Sequence, residues 1–393
     1  MPTVRGWAAV GAAAALVVLW VAFGERLLLA VALFLGFAVA FGLIHVRRTA
    51  PQVSITRTLA PPTINDGGRV LVDVHLDATR RIRHVIVEDE VTTLGAARFI
   101  ADRVQPGDTL AGRYEVMCRP RGLYRVGPAN VTVRDPLGLT EAGGPVGVAS
   151  ELVVYPALEE LDGLPAVRGQ DPTVRTARAN HSHTGGEDFF TLREYQQGDD
   201  IRHVHWPSSA RRDVLMIKQL EMPWQSRGLI LFDTRREVYP SDDDFERAVI
   251  GAASVLKHLF ANGFGPTLWT GDESALVADG DAFTNAMRTL AIITPTERVD
   301  LASSIARLRR SNVGGGLFIM VTGAGNEGNL AAYRLLSRDF SRTVILAAAQ
   351  QPSDDILKLR AAGAVTVSSA PGSTWAPSWH SAMEGTWSTA TAG

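Results

Sequence analysis

The sequence has almost no cysteine and almost no net charge. Cys118 is the one cysteine in 393 residues, so neither an internal disulfide nor a thiolate metal cluster can form. A lone cysteine is compatible with a reducing cytoplasm and with export alike. Lysine and arginine together number 39 against 41 acidic residues, for a formal charge of -2. Without a strong basic field to meet phosphates, the chain is not a dedicated nucleic-acid binder. No internal repeat occurs, and no Gly-x-Ser-x-Gly elbow marks a hydrolase nucleophile. The length exceeds what one ordinary core organises, which points to two or three domains.

What the chain has in excess is an apolar N-terminus. Trp7 to Phe23 runs seventeen residues without a charge, and after Gly24, Glu25 and Arg26 a second run extends from Leu27 to Val46. A membrane-spanning helix needs about 20 apolar residues, with about 17 as the lower bound. The two runs, 7–23 and 27–46, therefore read as a transmembrane helical hairpin. A cleaved signal peptide competes for the first run, but its apolar stretch is too long and a second span follows at once. Arg5 precedes the pair and Arg47 and Arg48 follow it. The excess of cations on these flanks places both ends, and everything after residue 48, on the cytoplasmic side of the plasma membrane.

Beyond the hairpin, residues 49–156 read as a β-sandwich. Val70, Val72, Val74 and Leu76 alternate with Arg69, Asp73, His75 and Asp77, and His84–Val91 and Gly112–Arg119 give further strands. Turn signals separate these segments at Asp66-Gly67-Gly68 and Pro106-Gly107-Asp108. Residues 157–226 form a connector rich in Gly, Pro, Thr and Arg. From residue 227 to 368 strands and helices alternate, as parallel strands joined by helical crossovers require. The polar, proline-containing end, 369–393, reads as a disordered tail.

Within the connector, Gly185–Glu221 contains Phe189, Arg193, Glu194, Tyr195, Gly198, Asp199, Arg202, His205, Trp206, Ser209, Ala210 and Arg211. With Arg121–Leu139, this spacing resembles the bacterial family known as domain of unknown function 58. The resemblance implies a von Willebrand factor type A-like, Rossmann-type α/β domain behind the membrane anchor. It also implies a MoxR-type AAA+ ATPase and a transglutaminase-like membrane protein as partners. The biochemical activity of the family is unsettled. Read from the residues themselves, the segment sets seven acids against five bases. Guanidinium–carboxylate forks among them can close a buried latch around Tyr195 and Trp206, or present a surface to a protein partner.

Three sharper chemistries stand or fall on their ligand sets. Type A domains bind Mg²⁺ through Asp-x-Ser-x-Ser after the first strand. Asp233 stands at that place, but Arg235 and Glu237 stand at the serine positions and Gly323 where a later strand supplies an Asp. A salt bridge from Asp233 to a nearby arginine is the expectation. Gly323, Gly325 and Gly328 match the dinucleotide pattern G-x-G-x-x-G, but on a late strand, with no acid after the next strand to hold a ribose. His181, His183, His203 and His205, with Ser208 and Ser209, could hold zinc or act hydrolytically; a hydrogen-bonded or stacked His205 beside Trp206 is the simpler reading. The expectation is thus a membrane-tethered, non-enzymatic adaptor without metal or cofactor. An enzyme at the carboxyl edge of the sheet and a purely structural envelope protein are the rival classes.

Overall fold

The computed structural model describes residues 1–48, 53–164, 190–195, 204–212, 214–220, 227–271, 274–275, 280–297, 300–310, 315–351 and 353–388. The chain divides into two compact units, Met1–Tyr155 and Pro156–Gly393.

The first unit opens with helices α1 (Val4–Phe23) and α2 (Arg26–Arg48). Thr3 caps α1 by accepting the N–H of Gly6. Gly24, at φ 71°, turns the chain in the left-handed conformation that a side chain would disfavour. Both helices are long and apolar enough to cross a membrane. They are not core helices: Val21, Leu33, Phe34 and Phe37 are each more than 60% exposed.

Ten strands follow: β1 (Val53–Ala60), β2 (Thr63–Asn65), β3 (Arg69–Ala78), β4 (Ile82–Val91), β5 (Gly95–Val104), β6 (Thr109–Met117), β7 (Gly122–Val126), β8 (Ala129–Arg134), β9 (Glu141–Val146) and β10 (Ser150–Tyr155). One sheet runs β1-β3-β6. The other runs β2-β10-β7-β4-β8-β9, with β5 paired to β4. The alternation in β3 does what period-2 patterning demands: Val70, Val72, Val74 and Leu76 are buried. They meet Val85, Val87, Val131, Val133, Leu152 and Val154 of the second sheet in one core. Each such valine contributes about 1.5–3 kcal/mol by leaving water. On the other face of β3, Asp73 pairs with Arg113 in solvent.

In the second unit, β11 (Phe190–Glu194) pairs antiparallel with β12 (Met216–Leu220), and α3 (Trp206–Arg212) lies between them in sequence. A six-stranded sheet then forms from β13 (Arg227–Phe232), β14 (Gly265–Trp269), β15 (Ser274–Ala275), β16 (Gly315–Thr322), β17 (Phe340–Ala348) and β18 (Val365–Ser369). Its order is β15-β14-β13-β16-β17-β18, all parallel except β15. This is the doubly wound order, in which the chain leaves the first strand in both directions. The crossover helices are α4 (Asp242–Ala261), α5 (Gly280–Ile292), α6 (Leu301–Arg310), α7 (Glu327–Leu336) and α8 (Asp354–Ala361). Helix α7 ends at Leu336, and Phe340 already begins β17.

The expected disordered tail is the clearest correction. Residues Trp375–Ser388 form a helix, α9. Trp375, Trp379 and Met383, four residues apart, are each at most 1% exposed. Pro377 lies in the first turn, where its missing N–H has no intrahelical partner to lose. Gly251 of α4 leaves room for the indole, since a Cβ there would sit 2.7 Å from the Trp375 ring. The Glu159 carboxylate accepts the backbone N–H groups of Trp375 and Ala376 and pairs with Arg247, fixing connector, α4 and α9 together.

Candidate functional site at the carboxyl edge of the α/β sheet

In an open parallel sheet the place for a site is where the strand order reverses. Here that place lies between β13, whose next strand β14 pairs on one flank, and β16, which pairs on the other. Asp233 is the first residue after β13, and its N–H bonds to the Val321 carbonyl of β16. Its carboxylate is buried and fully engaged. Oδ1 accepts the backbone N–H of Arg235 at 3.2 Å and Arg235 Nε at 2.9 Å. Oδ2 accepts Arg235 Nη2 at 2.8 Å, Asn329 Nδ2 at 2.8 Å and Thr322 Oγ1 at 3.1 Å.

Arg235 extends the network. Nη2 also donates to Asn326 and Asn329, at 3.2 and 3.1 Å, and Nη1 donates to Glu237 at 2.9 Å. Burial works against the guanidinium charge, but the hydrogen bonds and charge of Asp233, with Glu237, outweigh it and raise the Arg235 pKa. Tyr239 donates its hydroxyl to the Asp233 carbonyl, and burial first, then the Asp233 charge, pushes that phenol well above its ordinary value. Every side-chain group that reaches the Asp233 carboxylate is a hydrogen donor, and one of them carries a full positive charge. A Mg²⁺ ion needs oxygen acceptors at this point, so these residues do not fit the metal that type A domains hold.

The glycine pattern has a packing account. A Cβ on Gly323 would lie 2.0 Å from the Val238 carbonyl oxygen, Gly325 sits at φ +79°, and a Cβ on Gly328 would meet Arg235 Nη1 at 3.0 Å. The first turn of α7 is closed by a reciprocal Asn326–Asn329 capping box. The backbone N–H of Asn329, which a phosphate would seek, is thereby already satisfied.

Beside the network opens a cleft of about 550 Å³. Leu301, Ile305, Ala332 and Leu335, from α6 and α7, supply apolar lining; Arg235, Glu237, Glu297 and Asp300 supply charge. Asp300 caps α6 through the N–H of Ala302 and the hydroxyl of Ser303, and the Ser303 bond lowers its pKa below the usual carboxylate value.

The signature residues are only partly placed. Phe189, Gly198, Asp199 and Arg202, with His181, His183 and His203, lie outside the described residues. Arg193 and Glu194 fall in β11, in register with Ile217 and Met216, and the Tyr195 N–H bonds to the Leu215 carbonyl. His205 and Ser209 tie α3 to β12. The His205 N–H donates to the Met216 carbonyl, Ser209 Oγ donates to the His205 carbonyl at 3.0 Å, and the same Oγ accepts the Met216 N–H at 2.8 Å. His205 Nδ1 lies 2.8 Å from Ser208 Oγ, a local contact at the start of α3. Trp206, however, is 67% exposed, and Ala210 and Arg211 are exposed as well. The buried latch around Trp206 is therefore not formed at Trp206 itself, because α3 turns that ring to solvent. Sequence reasoning missed Thr322, Asn329 and Tyr239 as members of the Asp233 network. The Asn-x-x-Asn cap after β16 was the available signal.

Compared with known proteins, residues 191–370 match the family described as protein of unknown function DUF58. The uncharacterized protein YeaD of Bacillus subtilis (strain 168) is 32% identical over 205 residues, 51% of this chain. The chain spans about half, 49%, of the length of that curated relative. Among solved structures, the CARDB domain of the PF1109 protein from Pyrococcus furiosus shares 14% identity over 27% of this chain and 94% of its own, at a TM-score of 0.21. The sporulation control protein Spo0M from Bacillus subtilis shares 13% over 26% of this chain and 49% of its own, at 0.18. Scores this low carry no argument about the fold. The similarity to the DUF58 family thus extends over residues 191–370, nearly all of β11 through β18.

Proposed function

We propose that this chain is a membrane-anchored, non-enzymatic adaptor. The helix pair spans the plasma membrane as a two-pass anchor, the β-sandwich and a type A-like α/β domain stand in the cytoplasm, and the cleft beside Arg235 receives a protein partner. The resemblance supplies the identity of that partner, a MoxR-type AAA+ ATPase. It also supplies the setting, assembly or maturation of a cell-envelope complex with a transglutaminase-like membrane protein. The observation that carries the reading is the Arg235 guanidinium on the Asp233 carboxylate. A fixed side-chain cation stands where metal-binding relatives hold an exchangeable ion, so recognition here rests on shape, apolar surface and the rim charges.

The test is retention of a partner by the full-length chain from gently solubilised membranes. Leu335 lines the cleft and is 46% exposed. Leu335→Glu should change stability by no more than about 0.5 kcal/mol, as surface substitutions do, while abolishing capture of the AAA+ ATPase. Capture undiminished by Leu335→Glu, with a parent-like melt, would refute the cleft as the docking site.

A further inference from the structure

The Arg121–Leu139 motif ends in a loop that the adaptor reading leaves without a role. Asp135 to Thr140 leaves β8 and returns as β9, and it is held between the start of α1 and the later part of α2. The Thr3 N–H donates to the Leu139 carbonyl at 2.9 Å and Thr3 Oγ1 donates to the Gly138 carbonyl at 2.7 Å. Pro2 bridges to Thr140, and the Glu141 N–H bonds to the Met1 carbonyl. Two helix glycines permit the approach. A Cβ on Gly6 would lie 2.0 Å from the Leu139 carbonyl oxygen, and one on Gly42 would lie 2.7 Å from Thr140 Oγ1 and 3.3 Å from the Asp135 carboxyl carbon.

The level of this contact decides what surrounds the loop. The apolar run of α2 continues past Gly42 through Leu43 and Ile44 and, interrupted by His45 alone, ends at Val46, about 6 Å farther along the axis, before Arg47 and Arg48. A membrane that covers the apolar length of α2 therefore reaches the loop before it reaches the cationic end of the helix. The loop is built for such a place, because irregular backbone near hydrocarbon must satisfy its polar groups internally. Asp135 Oδ1 accepts the Leu137 N–H and Oδ2 accepts both the N–H and the hydroxyl of Thr140. The Asp135 N–H returns to the Thr140 carbonyl, and the Gly138 N–H to the Asp135 carbonyl. What remains at the surface is apolar: Pro136 is exposed and Leu137 is 62% exposed. The start of α1 and the end of α2 carry the exposed cations Arg5, Arg47 and Arg48, complementary to anionic headgroups.

We infer that the Asp135–Thr140 loop is a third membrane contact, with Leu137 seated in the headgroup region of an anionic phospholipid surface beside the hairpin. The first unit is then clamped to the membrane and does not swing on a linker. This rests on the reading of α1 and α2 as membrane spans, and the experiment separates the two. Native Cys118 is fully buried, and burial pushes its thiol pKa up, so an introduced cysteine can be labelled alone. Three full-length variants carry the label: Leu137→Cys at the loop, Leu33→Cys midway along α2, and Ala96→Cys. Ala96 lies opposite Glu90 of β4, about 15–20 Å along that strand from Val85, which faces the loop end of β8.

Each variant is reconstituted in phosphatidylcholine–phosphatidylglycerol vesicles with an environment-sensitive fluorophore and nitroxide lipids. The Leu137 label should lose several-fold more fluorescence than the Ala96 label to a nitroxide placed high on the acyl chain. The Leu33 label should respond to a deep nitroxide. Quenching at Leu33 with Leu137 no more quenched than Ala96 would overturn the loop contact and leave the anchor standing. An unquenched Leu33 would remove the anchor and the loop proposal together.

Discussion

Each unit of this chain buries one arginine on one aspartate, with a tyrosine against the pair, yet the two arrangements end differently. In the β-unit, Arg57 forks onto Asp89 at 2.6 and 3.0 Å, and Tyr114 donates to the same carboxylate at 2.7 Å. Both partners are at most 2% exposed, and Arg57 spends a further donor on the Val148 carbonyl. Gly127 leaves room for the guanidinium, since a Cβ there would lie 2.4 Å from Nη2. This pair is one positive charge on one negative, enclosed by strands. In the α/β-unit, Arg235 forks onto Asp233 in the same way but also holds Glu237, which is 62% exposed, and it borders an open cleft. The same bidentate chemistry serves the fold in one place and builds a surface feature in the other. Position in the topology makes the difference: Asp89 lies within a strand, and Asp233 lies just past one, at the point where the sheet reverses.

The largest effects should come from breaking either pair. Asp89→Ala and Asp233→Ala each strand a buried arginine and should cost about 3–5 kcal/mol. Chemical denaturation followed by hydrogen exchange will show each loss in its own unit. Replacing both partners together sharpens the contrast. Arg57→Met with Asp89→Leu should recover most of the loss, because paired apolar replacements of buried ions are often neutral or better. Arg235→Met with Asp233→Leu should not, because Glu237 and Asn326 lose Arg235, Thr322 loses Asp233 and Asn329 loses both. Equal recovery in the two units would erase the distinction.

A third buried arginine offers a case between these two. Arg247 pairs with Glu159 and lies against the Trp375 ring, 5.1 Å from its centroid, and its Nη2 has no hydrogen-bond partner among the described residues. Its environment depends on α9. Trp375→Ala should therefore cost about 3–5 kcal/mol, in the range of large aromatic truncations, and raise exchange of the α4 amides. An unchanged melt would mean that α9 does not hold the second unit together.

The two tyrosines give the smallest, pH-dependent effect. Burial, then the hydrogen bond and charge of Asp89, raises the Tyr114 pKa against the opposing charge of Arg57; burial and the charge of Asp233 raise that of Tyr239. A phenol whose folded pKa exceeds its unfolded value of about 10 favours the folded state below that pH. That contribution is lost as pH rises from about 10 toward the folded pKa. Phenolate absorbance from both should lag ordinary tyrosine and rise with unfolding. Tyr114→Phe or Tyr239→Phe should each remove one late-titrating group; early titration of either would place it in solvent.

Much of this architecture was legible in the residues. Val70 to Leu76 announce a half-buried strand, the charge-free run after Trp7 announces a helix hairpin, and Leu229 to Phe232 followed by Asp233 announces the first strand of a parallel sheet. The C-terminal helix was not legible by composition, since Ser, Thr, Gly and Pro377 argue for disorder. Its signal lay in Trp375, Trp379 and Met383 at helical spacing, which composition averages away. The Asp233 network was half legible: Arg235 and Glu237 stand two and four residues away, whereas Thr322 and Asn329 join through a tertiary contact across some ninety residues. Trp206 beside many charges suggested burial, and only the orientation of α3 turns it outward.

Thermal melting of the full-length chain in detergent, with Mg²⁺ added or EDTA present, asks whether Arg235 has taken the place of the metal. An ion bound only to the folded state at a hundredfold over its Kd would stabilise it by about 2.7 kcal/mol. The Tm should be the same with Mg²⁺ and with EDTA; a Mg²⁺-dependent rise that EDTA reverses would contradict the assignment of that site to a fixed guanidinium.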